Sequence, residues 1–142
     1  MEIKFSITSK INKPVEEVFK AVVDPEALSS YFTTVSSGPM EVGETILWKW
    51  GSEESEIRVI ELEENRTISF RWKAYNVMYE TLVEIDFQEK EGETTVTVTE
   101  SGWQEDHEGL DSSYSHCAGW QHMLTCMKAR LEFNVDLRPQ YI

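Results

Sequence analysis

The chain has 142 residues, which fits one domain (1–142) and is long enough to bury a core without disulfide or metal staples. Thirteen Lys and Arg stand against 26 Asp and Glu, a net charge of −13, which disfavours phosphate backbones and anionic membrane surfaces as partners. No stretch approaches the roughly 20 apolar residues of a membrane span, and the opening MEIKFSITSKI lacks the apolar core of a signal peptide, so a cytoplasmic protein is expected.

In chain order, Ile3, Phe5 and Ile7 alternate with Lys4, Ser6 and Thr8, the pattern of a half-buried strand. Pro14 suits the first helical position, and Val15, Val18, Phe19, Val22 and Val23 follow at helical spacing. Asp24 can cap a second short helix begun by Pro25, with Leu28, Tyr31 and Phe32 on its buried side. The period then changes to two. Ile46, Trp48 and Trp50 share one face of a strand, and residues 55–62 form the next. Ile68, Phe70 and Trp72 mark a third of this run, and Thr81, Val83, Ile85 and Phe87 a fourth. Glu91-Gly92-Glu93 reads as a hairpin turn into a last strand carrying Val96 and Val98. Short turns between consecutive strands predict an antiparallel meander, because parallel strands need crossovers.

The final element is a helix from near Asp111 to near Phe133. Cys117, Trp120, Leu124, Met127 and Leu131 give it one apolar stripe, widened by Met123, Cys126 and Phe133. Asn134 can take the left-handed conformation that ends it. Cys117 and Cys126 lie on this helix about 13 Å of rise apart, which excludes a disulfide between them. A meander that is apolar on one face must be covered, and only this helix is long enough. The expected class is α+β: a curved antiparallel sheet wrapped around a long C-terminal helix, with two short helices after the first strand.

These segments also carry a resemblance. IKFSITSKINKPVEEVFKAVVDPEALSSYF resembles the opening of START-like (SRPBCC, birch-pollen-allergen-like) helix-grip domains. TTVTVTESGW (94–103) and GWQHMLTCMKARLE (119–132) resemble the last strand and closing helix of the subgroup named after the C-terminal domain of the activator of the heat-shock-protein-90 ATPase. Tyr31-Phe32 stands where that family usually has tryptophan, and Asn134 where its helix usually ends in glycine. The resemblance implies the helix-grip fold and a cavity between sheet and helix. The co-chaperone that names the subgroup has a separate N-terminal domain supplying much of its chaperone contact, so the resemblance speaks for the fold more than for co-chaperone activity.

Trp48, Trp50 and Trp72 fall on inward strand faces and Trp120 on the helix stripe. They read either as an aromatic ligand cavity or as ordinary core. Tyr31, Phe32, Phe70, Val83, Ile85 and Val98 are the accompanying candidates from sheet and short helices, with Cys117 and Leu124 from the long helix. Glu100 continues the face of Val96 and Val98 and so points inward, where a carboxylate is costly unless paired. It reads as a ligand-orienting group or general base, or as a residue satisfied by Arg58 or a tyrosine hydroxyl. His116 and Tyr114 face either the cavity mouth or a half-exposed helix flank. His122 and Cys126 have metal-compatible spacing but are too few for a site. Glu105, Asp106, His107 and Glu108 read as a solvated loop before the helix. Gly119 inside the helix points to close packing or a slight bend that shapes the cavity.

No catalytic motif, metal or cofactor is expected. The leading functional reading is binding of a small hydrophobic or amphipathic molecule, lipid-like or aromatic. A stress-linked chaperone partner comes second, and a cavity enzyme using Glu100 third. Homodimerisation through an exposed edge strand is left open.

Overall fold

A computed structural model of the chain describes residues 1–138. Residues 139–142, which the single-domain reading includes, lie outside the described residues. The elements are β1 (Ile3–Ile11), α1 (Val15–Val23), α2 (Pro25–Leu28), β2 (Val35–Ser36), β3 (Thr45–Trp50), β4 (Glu53–Glu63), β5 (Thr67–Lys73), β6 (Glu80–Lys90), β7 (Glu93–Trp103) and α3 (His107–Phe133). The strands make one seven-stranded sheet in the order β1-β7-β6-β5-β4-β3-β2, and every neighbouring pair is antiparallel. This is the expected α+β helix-grip architecture. No helix among the described residues is long and apolar enough to cross a membrane.

Period-two alternation sets which side chains meet α3. On β6, Thr81, Val83, Ile85 and Phe87 are buried, and on β7 Thr94, Val96, Val98 and Glu100 are. Register places Val83 opposite Glu100, Ile85 opposite Val98 and Phe87 opposite Val96. Trp120, Met123, Leu124, Cys126 and Met127 of α3 close the same core. At about 25 cal/mol per Å² of apolar surface removed from water, such side chains contribute roughly 1.5–3 kcal/mol each.

Local signals account for the short elements. Asp24 accepts a hydrogen bond from the Ala27 N–H at 2.9 Å and Pro25 occupies the first turn of α2, as expected. Pro14 is the N-cap of α1, one position earlier than expected. Asn134 ends α3 in the left-handed conformation at φ 55°, ψ 39°. Four features differ from the sequence reading. Helix α3 starts at His107, capped by Asp106, whose Oδ1 accepts the Gly109 N–H at 2.7 Å. His107 and Glu108 are therefore its first turn, not loop. The two-residue β2 carries too few positions to show a period. Phe133 is 67% exposed, although Leu131 in the same turn packs against the core. Gly102 interrupts β7 at φ +106°, and the register shifts there so that Trp103, not residue 102, turns inward.

Candidate functional site

Beside the middle of α3 the apolar packing between helix and sheet opens into a cavity of about 480 Å³. Its walls come from three directions. The turn after α2 supplies Tyr31, Phe32 and Thr34; β3 and β5 supply Trp50 and Trp72; α3 supplies Ser115, His116, Gly119, Trp120 and His122. Arg138, beyond the end of α3, completes the lining. The lining rings meet in edge-on and tilted contacts. Phe32 lies 5.4 Å from Trp50 and 6.0 Å from Trp120, and Trp72 lies 5.5 Å from Trp120 between ring centroids.

Glu100 sits behind this wall and is fully buried. Its Oε2 accepts hydrogen bonds from Trp72 Nε1 at 2.9 Å, Thr81 Oγ1 at 2.7 Å and His116 Nδ1 at 2.8 Å. Its Oε1 accepts one from Trp120 Nε1 at 2.8 Å. Neither Arg58 nor a tyrosine is among these partners; Arg58 pairs with Glu80 at 2.5 Å instead. The other nitrogen of His116, Nε2, accepts the Tyr75 N–H at 2.9 Å. A nitrogen that accepts carries no proton, so the network assigns the proton to Nδ1 and leaves the imidazole neutral. Both groups are occupied on every polar atom, which leaves neither of them a free base toward the cavity.

Arg138 ties the chain after α3 to the turn after α2. Its guanidinium donates to the carbonyls of Thr33 at 2.9 Å, Ser29 at 3.2 Å and Ser30 at 3.4 Å. It also donates to both carboxylate oxygens of Asp136, at 2.9 and 2.8 Å. Those hydrogen bonds hold the Asp136 carboxyl down at about 2 and raise Arg138 in turn. Partial burial lowers His122 from its usual value, which favours its neutral form. Burial pushes the Tyr31 phenol well above its usual range, with Cys126 adding to the effect; the hydroxyl donates to the Ala21 carbonyl at 2.9 Å. Among the described residues the buried Trp48 indole N–H has no hydrogen-bond partner, and the rings of Phe32, Trp50, Phe70 and Trp72 neighbour the Trp48 ring.

The structure brings six of the expected residues to the cavity: Tyr31, Phe32, Trp50, Trp72, His116 and Trp120. Trp48, Phe70, Val83, Ile85, Val98 and Leu124 are fully buried beneath it, as core rather than lining. Cys117, a candidate for the lining, lies off the cavity, and Tyr114 takes the helix-flank alternative. Along α3, Ser115, Gly119 and His122 are spaced four and three and share the cavity stripe, whereas Leu110, Ser113, Tyr114 and Cys117 form a separate stripe beside Ile3 and Phe5 of β1. Tyr114 is accordingly 64% exposed. Sequence reasoning missed Thr34, Ser115, His122 and Arg138 as lining, since none carries an apolar-period signal. Gly119 is also reinterpreted: a Cβ there would meet nothing within 4 Å, so close packing does not explain it.

A family model described as activator of Hsp90 ATPase homolog 1-like protein matches residues 12–132. The chain belongs to this family. Among solved structures, this family member is similar to a protein from Staphylococcus saprophyticus at 31% identity, with 96% of each chain covered and a TM-score of 0.82. It is similar at 25% identity and TM-score 0.83 to DynU16, a protein in the dynemicin biosynthetic locus, covering 94% of this chain and 48% of that one. The Aha1 dimer from Colwellia psychrerythraea shares the fold at 23% identity and TM-score 0.79, with 92% and 97% covered. No curated protein sequence matches the chain.

Proposed function

We propose that this protein binds one small apolar or amphipathic molecule in the cavity between α3 and the sheet. The supporting observation is a cavity of about 480 Å³ walled by Phe32, Trp50, Trp72 and Trp120, with His116, His122 and Arg138 as its polar points. Ligand sites are commonly of about 300–1,000 Å³, mainly apolar, with a few fixed polar groups. Family membership agrees with a fold that forms such cavities, and leaves the ligand's identity to experiment. A chaperone partnership draws support from the family's description alone, and an enzymatic role loses its base because Glu100 and His116 are fully engaged.

The test is native mass spectrometry on protein purified gently from its own host, alongside tryptophan quenching by that ligand. A discrete excess mass, lost on denaturation, is expected. Gly119→Phe places a ring in the cavity from an exposed position where a Cβ meets no neighbour, so it should lower ligand affinity at least about tenfold without unfolding the chain. Leu124 is the wrong site for such a plug because it is fully buried. Unchanged affinity in Gly119→Phe would remove this cavity as the binding site.

A further inference from the structure

Glu100 is a buried acid with only neutral partners. Two indole N–H groups and the Nδ1–H of a neutral imidazole can only donate, and the Thr81 hydroxyl donates as well, so all four surround an acceptor that has no proton of its own to give. Among the described residues the one ion-pair geometry at Glu100 is with His116, whose Nε2 is held by the Tyr75 N–H and cannot carry the second proton of an imidazolium. The remaining charged or titratable groups at the cavity do not supply a cation either. Arg138 is already matched by Asp136, and His122 is shifted toward its neutral form. Four donors on its two oxygens favour the carboxylate form of Glu100, so the wall of the cavity carries a negative charge with no cation beside it among the described residues, a costly arrangement in a low-dielectric interior.

That charge is hydrogen-bonded to the ring edges of the aromatic lining. Trp72, Trp120 and His116 line the cavity and each donates to the Glu100 carboxylate. An N–H bonded to an anion pushes electron density onto its ring, which makes the face a better partner for positive charge. Trp50 and Phe32 line the same cavity, with Phe32 5.4 Å from Trp50 and 6.0 Å from Trp120 between ring centroids, so several aromatic rings surround one space. The net charge of −13 adds a long-range attraction for cations and a repulsion for anions.

We infer that the cavity is selective for an organic cation, an ammonium group carried on an apolar body, held by the faces of Trp50, Trp72 and Trp120 with Glu100 as the counter-charge behind them. The inference rests on the ligand-binding reading above and adds the charge of the ligand to it.

Two probes of equal shape separate charge from apolarity: benzyltrimethylammonium, and its neutral carbon isostere 2,2-dimethylpropylbenzene. Binding of each to the full chain is followed by NMR of the Trp72 and Trp120 indole N–H signals. The cation should bind at least about tenfold more tightly than its isostere. Glu100→Gln should abolish most of that preference. Because Gln would set an amide N–H against one of the donors and can prevent folding, Trp50→Leu serves as a second variant. It removes one ring face while leaving every hydrogen bond to Glu100 in place, and it should reduce cation affinity more than affinity for the isostere. Equal binding of the two probes overturns the cation inference and leaves the apolar-ligand reading standing. A preference that survives both variants also overturns it. Failure of both probes to perturb the indole signals, with a host-derived ligand absent, counts against the ligand-binding reading itself.

Discussion

Thr81 shows how one hydroxyl sustains the buried acid. It is fully buried on β6, and its Oγ1 donates to Glu100 at 2.7 Å. Thr81→Val keeps the shape and the strand preference but removes a donor to a charged acceptor, a loss worth about 1.5–3 kcal/mol. A urea melt should report that loss as a lower midpoint at unchanged slope. Thr97→Val is the matched control: its hydroxyl meets that of Thr8 at 3.2 Å on the exposed face of the sheet, so its change should stay within about 0.5 kcal/mol. Equal effects of the two would mean that the Glu100 network contributes nothing special. Glu100 itself was legible in the sequence, because it continues the period of Val96 and Val98. Its partners were not. Trp72, Thr81 and His116 lie 28, 19 and 16 residues away along the chain, and only strand register and helix phase bring them to one oxygen.

At the scale of the element, α3 carries two glycines with opposite roles. A Cβ on Gly109 would lie 2.1 Å from the Gln104 carbonyl oxygen, a backbone atom that cannot move without breaking the Asp106 cap. Gly109→Ala should cost about 2 kcal/mol or more, as steric overpacking does. At Gly119 nothing lies within 4 Å of the added carbon, so Gly119→Ala should raise stability by up to about 1 kcal/mol through helix propensity. Differential scanning calorimetry of the two variants checks the pair, and a loss at both would show that the cavity side of α3 is packed more tightly than its surroundings indicate. The length and apolar stripe of α3 were readable from spacing. Its start was not, since a run of acidic residues reads as loop until Asp106 is seen to cap the Gly109 N–H. The bulge at Gly102 was hidden for a similar reason: glycine in a strand signals an irregularity without saying which neighbour turns inward.

For the whole molecule, the meander-then-helix order was enough to give the layers, because a sheet with one apolar face and a single long helix have one way to cover each other. The cavity was only half legible, since its rim depends on where Arg138 returns to the turn carrying Ser29, Ser30 and Thr33. The charge balance leads to a last expectation. Acidic residues outnumber basic ones 26 to 13, and pairs such as Lys4–Glu2 and Arg66–Glu63 have largely exposed side chains. Pairs of that kind contribute little. On the outer sheet face Glu61, Glu63, Glu84 and Asp86 line one groove together with Arg66. Repulsion among the excess carboxylates should therefore outweigh the surface pairs, and salt should screen it over a Debye length of about 10 Å at 0.1 M. Raising NaCl from about 0.02 to 0.3 M should increase Tm by a few degrees, whereas a fold held by its ion pairs would lose stability. The same salt should remove only the long-range share of a cationic probe's affinity that the net charge supplies, and should leave the preference over the neutral isostere that Glu100 supplies largely intact, because Glu100 is buried and its field reaches the cavity through protein rather than through solvent.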